Sequence, residues 1–234
     1  MERAERAERI LEAAEELLLA WGYGRVTIDE IARRAKVGKG TVYLHWRTKD
    51  ALLLAVVLKV QSRGRQRQLA RMRADPLEVL PSRVVSGLFR DFLGEPALRA
   101  VYTGDSDTLG RLNDTAKQEL AELVVHSERT LCRHLEVLRA HGLVRDDTDV
   151  QNQRYTLLAI ATGFVTSEAL HGDGAPETPE VRAELLARAV HCALETPAGA
   201  GRQRAAAAAA PDVIALYEEL TELSEQEMRR QLRR

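Results

Sequence analysis

The sequence predicts an all-α fold, and three observations support that prediction. Ala, Leu, Glu and Arg dominate the 234 residues, aromatic residues account for only 4 %, and runs of β-branched residues are rare. Apolar residues recur at helical spacing in several segments. A chain of this length can remove about 70–75 % of its unfolded surface from water, so one or two domains with a true core are expected.

The first predicted helix covers residues 3–21. Its apolar residues fall at i, i+3 and i+4 spacing, which places them on one face. They are Ala7, Ile10, Leu11, Ala14, Leu17, Leu18 and Trp21. The sequence "WGYG" at 21–24 should end this helix, because Gly readily adopts the left-handed conformation of a C-terminal cap.

A short second helix should follow immediately. The sequence "TIDE" at 27–30 has the form of a capping box, in which Thr27 caps the helix and Glu30 reaches back. Ile28, Ile31, Ala32 and Ala35 then provide an apolar face over two turns, and "KVGKG" breaks the helix at Gly38.

A third short helix is expected over about 39–46. Val42 and Trp46 are one turn apart, so they share a face that should close the core against Ile28 and Ile31. Thr48 can cap a fourth helix that begins at Lys49.

Further helices are expected beyond Pro76 and Pro81, with a turn or broken helix at 104–114. The predicted ranges are 82–93, 97–103, 114–141, 149–171 and 178–195. Residues 157–165 are apolar around the whole circumference, which predicts burial on all sides. The last two helices together suggest a self-complementary four-helix contact between two copies, although both could pack within one chain.

The C-terminal part divides into a linker and a final helix. Residues 196–210, "TPAGAGRQRAAAAAA", are of low complexity and predict a linker, although the Ala run could extend a helix backwards from Pro211. The expected domains are therefore 1–50, 51–195, a linker at 196–210 and a helix within 211–234.

Positive charge is concentrated near the N-terminus. Residues 25–49 contain seven cations against two acids, a net of +5, whereas the whole chain carries −1. A local basic patch on a mildly acidic body suits an anionic partner.

Several classes of protein are disfavoured by composition. The two cysteines, Cys132 and Cys192, lack metal-ligand spacing and do not form a disulfide framework. The charged N-terminus does not resemble a signal peptide, and no apolar run reaches the roughly 20 residues of a membrane span. We expect a cytoplasmic protein with no membrane association, no metal and no cofactor.

Three interpretations compete for "VGKGTVYLHWRTKD" at 37–50. A nucleotide-binding P-loop requires GxxxxGK[ST] after a strand, and both the spacing and the preceding element are wrong. A nucleophilic site at His45 would need partner residues that the sequence does not supply. A helix-turn-helix fits best, because its second helix would enter the major groove while the first crosses the backbone.

The segment "TIDEIARRAKVGKGTVYLHWRTKDALL" resembles the DNA-binding domain of the TetR family of bacterial transcriptional regulators. The resemblance covers about residues 1–57. It implies base or phosphate contacts for five residues of the third helix and phosphate contacts for two more outside it. The first set is Lys39, Gly40, Thr41, Tyr43 and His45, and the second is Thr27 and Lys49.

The resemblance implies a ligand-responsive repressor that binds an inverted-repeat DNA operator as a homodimer and is released by a small molecule. The pocket has no sequence motif, so six residues of the middle helices are candidates only. They are Phe89, Phe92, Tyr102, His126, Arg129 and Tyr155. The sequence offers no catalytic constellation, so no enzymatic activity is expected. An adaptor or dimerisation protein without sequence-specific DNA binding, and a TetR-like activator, stay open as alternatives.

Overall fold

A computed structural model describes residues 2–171 and 178–232, and these residues confirm the all-α prediction. The longest elements of the described residues are five helices of twenty residues or more. In chain order the helices are α1 Glu2–Arg25, α2 Ile28–Arg34, α3 Lys39–His45, α4 Lys49–Ala74, α5 Pro81–Gly94, α6 Pro96–Thr103, α7 Ser106–Leu109, α8 Leu112–Glu119, α9 Ala121–Ala140, α10 Val150–His171, α11 Pro179–Leu194 and α12 Arg202–Gln231.

The described chain forms two compact units. Unit 1 comprises Met1–Arg63, Glu95–Val124 and Glu222–Arg234, and unit 2 comprises Gly64–Gly94 and Val125–Thr221. Residues 233 and 234, at the end of the predicted C-terminal segment, lie outside the described residues.

In unit 1, α1 presents its apolar face to α2 and α3. The predicted core residues Ile10, Leu11 and Ile31 are buried, and so are Val42 of α3 and Trp46, which directly follows this helix. Burial of Val42 and Trp46 confirms that this face of α3 points inwards. The opposite face of the short helix is therefore turned to solvent.

The segment predicted as a turn or broken helix contains the short helix α7. Gly104 and Gly110 flank it, and both adopt positive φ, at 61° and 51°. Asp105 caps α7 by accepting a hydrogen bond from the backbone N–H of Asp107. Within unit 1, α7 packs against α1.

In unit 2, α5 and α11 pack along each other around an aromatic cluster. Phe89 and Phe92 are buried there, and Phe164 of α10 meets Phe89 edge-on. A second cluster joins α9 to α12. There the buried His134 is hydrogen-bonded from both ring nitrogens, to the Tyr217 hydroxyl at 3.1 Å and the Val79 carbonyl at 2.7 Å.

The C-terminal helix begins earlier than the sequence predicted. α12 starts at Arg202, so residues 202–210 of the expected linker are helical, which confirms the alternative of a helix that extends backwards from Pro211 through the Ala run. Arg202 pairs with the buried carboxylate of Glu195 and donates to the Thr196 carbonyl at 2.8 Å. Ala206, Ala209 and Ala210 are buried in the second cluster, and this packing holds the Ala run in a helix.

Two other predictions were wrong in detail. The helix expected over 114–141 is divided at Leu120, a buried residue with φ −107° and ψ 17°. Residues 157–165 are not buried on all sides within one chain, since Leu158 is exposed while Leu157 is buried. α10 packs on α5 and α11, and its apolar residues Tyr155 and Leu158 are exposed.

Candidate nucleic-acid interface

The start of α2 is fixed by Thr27. Its backbone is extended, with φ −123° and ψ 156°, and its hydroxyl accepts a hydrogen bond from the Glu30 N–H at 3.2 Å. The predicted N-cap is confirmed. The reciprocal half of the capping box was not correct, because the Glu30 carboxylate pairs with Arg33 one turn further along. The exposed Thr27 thus stands beside the free amides of a helix N-terminus, a geometry that suits a phosphate.

The turn between α2 and α3 depends on a residue other than the expected glycine. Lys36 has φ 56°, and the following N–H of Val37 donates to the Ala32 carbonyl at 3.0 Å. This hydrogen bond closes the end of α2 in the manner of a Schellman cap. Gly38 has an ordinary φ of −72° and caps α3 without a side-chain hydrogen bond.

The outward face of α3 carries four of the five residues that the sequence predicted for this helix. Tyr43 is 45 % exposed, and Lys39 and Gly40 are also exposed, whereas Thr41 is half-buried. A Cβ built on Gly40 would meet no atom within 4 Å, so the surface there is flat and open. Leu44, which sequence reasoning passed over, is 75 % exposed on the same helix.

Lys39 keeps its charge at neutral pH. Its Nζ lies 2.8 Å from Asp29 Oδ2, and this hydrogen bond raises the pKa of the lysine above its usual value. Both partners are exposed, and surface pairs of this kind contribute little net free energy. The ammonium can therefore exchange the carboxylate for a phosphate or a base edge at small cost.

His45 is placed differently from the expectation of a DNA contact. Only 7 % of the residue is exposed, and its ring packs beside Trp46 with centroids 5.5 Å apart. Burial lowers the pKa of His45, and the charges of Arg3 and Arg6 lower it further. The structure thus gives His45 a packing role at the end of α3.

Lys49 is also engaged within the fold. Its Nζ donates to the carbonyl oxygens of Tyr23 at 2.9 Å and Val26 at 3.1 Å, and it lies 4.0 Å from the centre of the Tyr23 ring. Burial lowers its pKa. The ammonium satisfies carbonyls at the end of α1 and complements the negative end of that helix dipole. The phosphate contact expected for Lys49 is replaced by this internal role.

A network that the sequence did not reveal adjoins Lys49. The Tyr23 hydroxyl donates to Asp50 Oδ1 at 2.6 Å, and Arg111 donates to the same hydroxyl at 2.6 Å and to Asp50 Oδ2 at 3.2 Å. Burial and the bond to Asp50 raise the pKa of Tyr23. Because its members are 27 to 88 residues apart, no local pattern could have identified it.

Positive charge surrounds α3 at the surface. Arg25, Lys36 and Arg47 are all exposed in unit 1. Lys39, Arg33 and Arg34 of the same basic segment are exposed as well, each in a surface ion pair. Guanidinium and ammonium groups of this kind bind backbone phosphates.

The five candidate pocket residues of unit 2 do not converge on one site, and the sixth, Tyr102, belongs to unit 1. Phe89 and Phe92 stack at 5.8 Å inside the aromatic cluster of unit 2. Tyr102 and Arg129 are exposed, and His126 is half-buried. Tyr155 is 73 % exposed and lines an open groove on the surface of α10.

Two other classes of site receive no support from the described residues. Within residues 2–171 and 178–232, no three His, Cys, Asp or Glu side chains are grouped as metal ligands. In the same part of the chain, no helix combines the length and apolar character that crossing a bilayer requires.

Residues 10–56 match the sequence model of the bacterial regulatory proteins of the tetR family. The helix-turn-helix segment of the chain is therefore of the TetR type. The matched residues contain α2, α3 and the turn between them, which is the part of unit 1 described above.

Two relatives illustrate how similarity to other TetR-type regulators is distributed. The uncharacterized HTH-type transcriptional regulator YdeS of Bacillus subtilis is 51 % identical over 45 residues, which are 19 % of this chain and 23 % of YdeS. The HTH-type transcriptional repressor BepR of Brucella suis is 27 % identical over 177 residues, covering 74 % of this chain and 84 % of BepR. The higher identity is thus limited to a short segment, and the lower identity extends over most of the chain.

Solved structures support the TetR-type fold over most of the chain. FadR from Bacillus halodurans superposes with a TM-score of 0.63 at 17 % identity, covering 79 % of this chain and 94 % of FadR. FadR from Bacillus subtilis, solved in complex with stearoyl-CoA, gives 0.59 at 20 % identity, covering 79 % and 99 %. At these identities the likeness concerns the fold alone.

Proposed function

We propose that this protein is a ligand-responsive transcriptional repressor that binds an inverted-repeat DNA operator as a homodimer. Its place of action would be the cytoplasm, where the operator is accessible. The proposal assigns no cofactor and no catalytic step to the chain.

The outward face of α3 carries the proposal. Lys39, Gly40, Thr41 and Tyr43 stand on the exposed side of a helix whose other side is anchored by the fully buried Val42 and Trp46. A rigidly backed helix that presents a cation, a glycine and polar groups fits the major groove. Thr27, at the N-terminus of α2, would meet a backbone phosphate on the flank.

Dimerisation is supported by exposed apolar side chains in unit 2. Tyr155, Leu158 and Leu170 are exposed on α10, and Val181 and Leu185 are exposed on α11. Apolar side chains clustered on a helix face indicate an interaction surface. In a twofold dimer the same face of both protomers would be covered, and two α3 helices would reach successive major grooves about 34–36 Å apart.

Binding of a small-molecule effector is supported by a similar solved structure and by the aromatic cluster of unit 2. FadR of Bacillus subtilis was solved with stearoyl-CoA, a ligand with a long apolar chain. Phe89 and Phe92 are the two candidates that would line an apolar cavity opened by such a ligand. Tyr102, His126, Arg129 and Tyr155 stay candidates for its polar parts or its entrance. The ligand must bind the DNA-competent and DNA-incompetent states unequally.

Two alternatives to a repressor can be distinguished by sequence preference in DNA binding and by the effect on transcription. An adaptor without DNA function would show no sequence preference among duplexes. An activator would bind the same operator but raise transcription from a promoter placed beside it, whereas a repressor would lower it.

The decisive test is selection of bound duplexes from a random DNA library at physiological salt. The proposal predicts enrichment of an inverted repeat, with each half-site contacted by one protomer. Bulk binding that depends on salt but enriches no sequence would contradict it. The selection should include protein that was denatured and refolded, so that a co-purified ligand cannot conceal binding.

Charge-matched variants sharpen the same test. Lys39 and Lys117 are both exposed lysines that pair with an aspartate, Lys39 with Asp29 of α2 and Lys117 with Asp114 of its own helix. Lys39→Ala should broaden the enriched sequence, whereas Lys117→Ala, on α8, should leave it unchanged. Equal effects of the two substitutions would contradict the proposed role of α3.

A further inference from the structure

Leu44 is unusual among the large apolar side chains of the described residues. It is 75 % exposed, and only Tyr155 and Leu170, both on the proposed dimer face of α10, reach comparable values in that part of the chain. The remaining exposed apolar residue of α3 is Tyr43, which carries a polar hydroxyl. Leu44 therefore presents an entirely apolar group on a helix that is otherwise polar and cationic outside.

The neighbourhood of Leu44 leaves room for a small group. Gly40 is four residues earlier, so it lies on the same face one turn nearer the N-terminus of α3. A Cβ at Gly40 would find no atom within 4 Å. Side chains of a helix lean towards its N-terminus, so the Leu44 side chain leans towards Gly40, which has no side chain to fill the adjoining surface.

Only one base offers an apolar group in the major groove. Thymine carries a 5-methyl group there, while the other edges present hydrogen-bond donors and acceptors. Leu44 can neither donate nor accept a hydrogen bond, so it would desolvate a polar edge without compensation. A methyl group beside it would remove apolar surface of both partners from water.

We propose that Leu44 recognises the 5-methyl group of a thymine in each operator half-site. This inference rests on the proposed DNA-binding function and adds a specific base to it. Lys39 and Tyr43 supply polar contacts on the same face, and Leu44 supplies discrimination through shape and apolar contact.

The test removes the methyl group without altering base pairing. Each thymine of the selected operator is replaced in turn by deoxyuridine, which keeps every groove donor and acceptor. At the position read by Leu44, wild-type protein should bind the deoxyuridine duplex about fourfold more weakly per half-site, the value of one buried methyl-sized group. Leu44→Ala should bind the two duplexes equally.

A matched variant controls for loss of a leucine elsewhere. Leu19 is a partly exposed leucine of α1, and Leu19→Ala should keep the wild-type preference for thymine over deoxyuridine. Thermal melting of both variants verifies folding, since truncation of so exposed a side chain as Leu44 should change stability little.

The possible outcomes separate this inference from the proposed function. An enriched inverted repeat with no thymine position sensitive to the methyl group would overturn the role of Leu44 and leave DNA reading intact. A methyl preference that persists unchanged in Leu44→Ala would also overturn it. Absence of any enriched sequence would overturn both proposals together.

Discussion

Replacing Gly22 by Ala should destabilise unit 1 strongly, because two costs act at the same atom. Gly22 has φ 72° and ψ 162°, a region that is essentially restricted to glycine. A Cβ at this position would lie 2.3 Å from the backbone oxygen of Asp107. That oxygen belongs to the α7 segment, which cannot move aside by a simple side-chain rotation.

The size of the effect follows from these two contributions. The forbidden backbone conformation costs about 1–3 kcal/mol. Forcing one carbon against a packed backbone typically adds about 1–3 kcal/mol. The free energy of unfolding should thus fall by about 2–6 kcal/mol, a large share of the roughly 5–15 kcal/mol that stabilises a domain.

Urea unfolding followed by circular dichroism measures this loss directly. Gly24→Ala is the matched control, because Gly24 is exposed two residues away and a Cβ there would meet nothing within 4 Å. Its stability should be unchanged or slightly higher. If the two variants unfold within about 0.5 kcal/mol of each other, the assigned contact between Gly22 and the α7 segment is incorrect.

Three further predictions concern Lys49, Arg47 and His134. Lys49→Ala should lower the free energy of unfolding by about 2 kcal/mol, since it leaves two carbonyls at the end of α1 without their donor, and should not change the salt dependence of DNA binding. Arg47→Ala, in contrast, should weaken binding to all duplexes alike and reduce the slope of log affinity against log salt by about one unit, measured by fluorescence anisotropy. His134 is fully buried, and burial lowers its pKa from 6.5 to about 4. Between these two pH values the unfolded chain binds a proton that the folded chain excludes. The free energy of unfolding is therefore unaffected above pH 6.5 and falls by about 3 kcal/mol as the pH decreases towards 4. Urea unfolding of His134→Gln should lack this part of the decrease.

The sequence predicted unit 1 best where neighbouring residues determine structure. Spacing alone placed Val42 and Trp46 on the buried side of α3, and the Thr27 cap is confirmed by its bond to the Glu30 N–H. Both depend on contacts within about one helical turn or between adjacent helices. The exposed face of α3 follows from the same periodicity, because what is not buried must point outwards.

Roles set by distant contacts could not be predicted. Lys49 bonds to carbonyls more than twenty residues earlier, and Arg111 reaches Tyr23 across 88 residues. The helix break at Leu120 could not be predicted, because no Gly or Pro stands at this position. Arg202 begins α12 because it pairs with Glu195, a partner whose burial is created by tertiary packing.

The pocket residues illustrate a different limit. Helical spacing identifies aromatic residues such as Phe89 and Phe92 but does not distinguish a core from the wall of a cavity. Tyr155 has the same apolar character in the sequence, yet it lies on the open side of α10. Only the packing of α5, α10 and α11 separates these cases.

The most direct test of the central claim is the ratio of affinities for the selected operator and a scrambled duplex at physiological salt. The account predicts a ratio of at least about 10³ for the wild-type protein, as for other sequence-reading regulators. It predicts that the ratio collapses in the Lys39→Ala/Tyr43→Ala double variant and persists in Lys117→Ala. A ratio near one for wild type, or an unchanged ratio in the double variant, would contradict the assignment of α3 as the element that reads DNA.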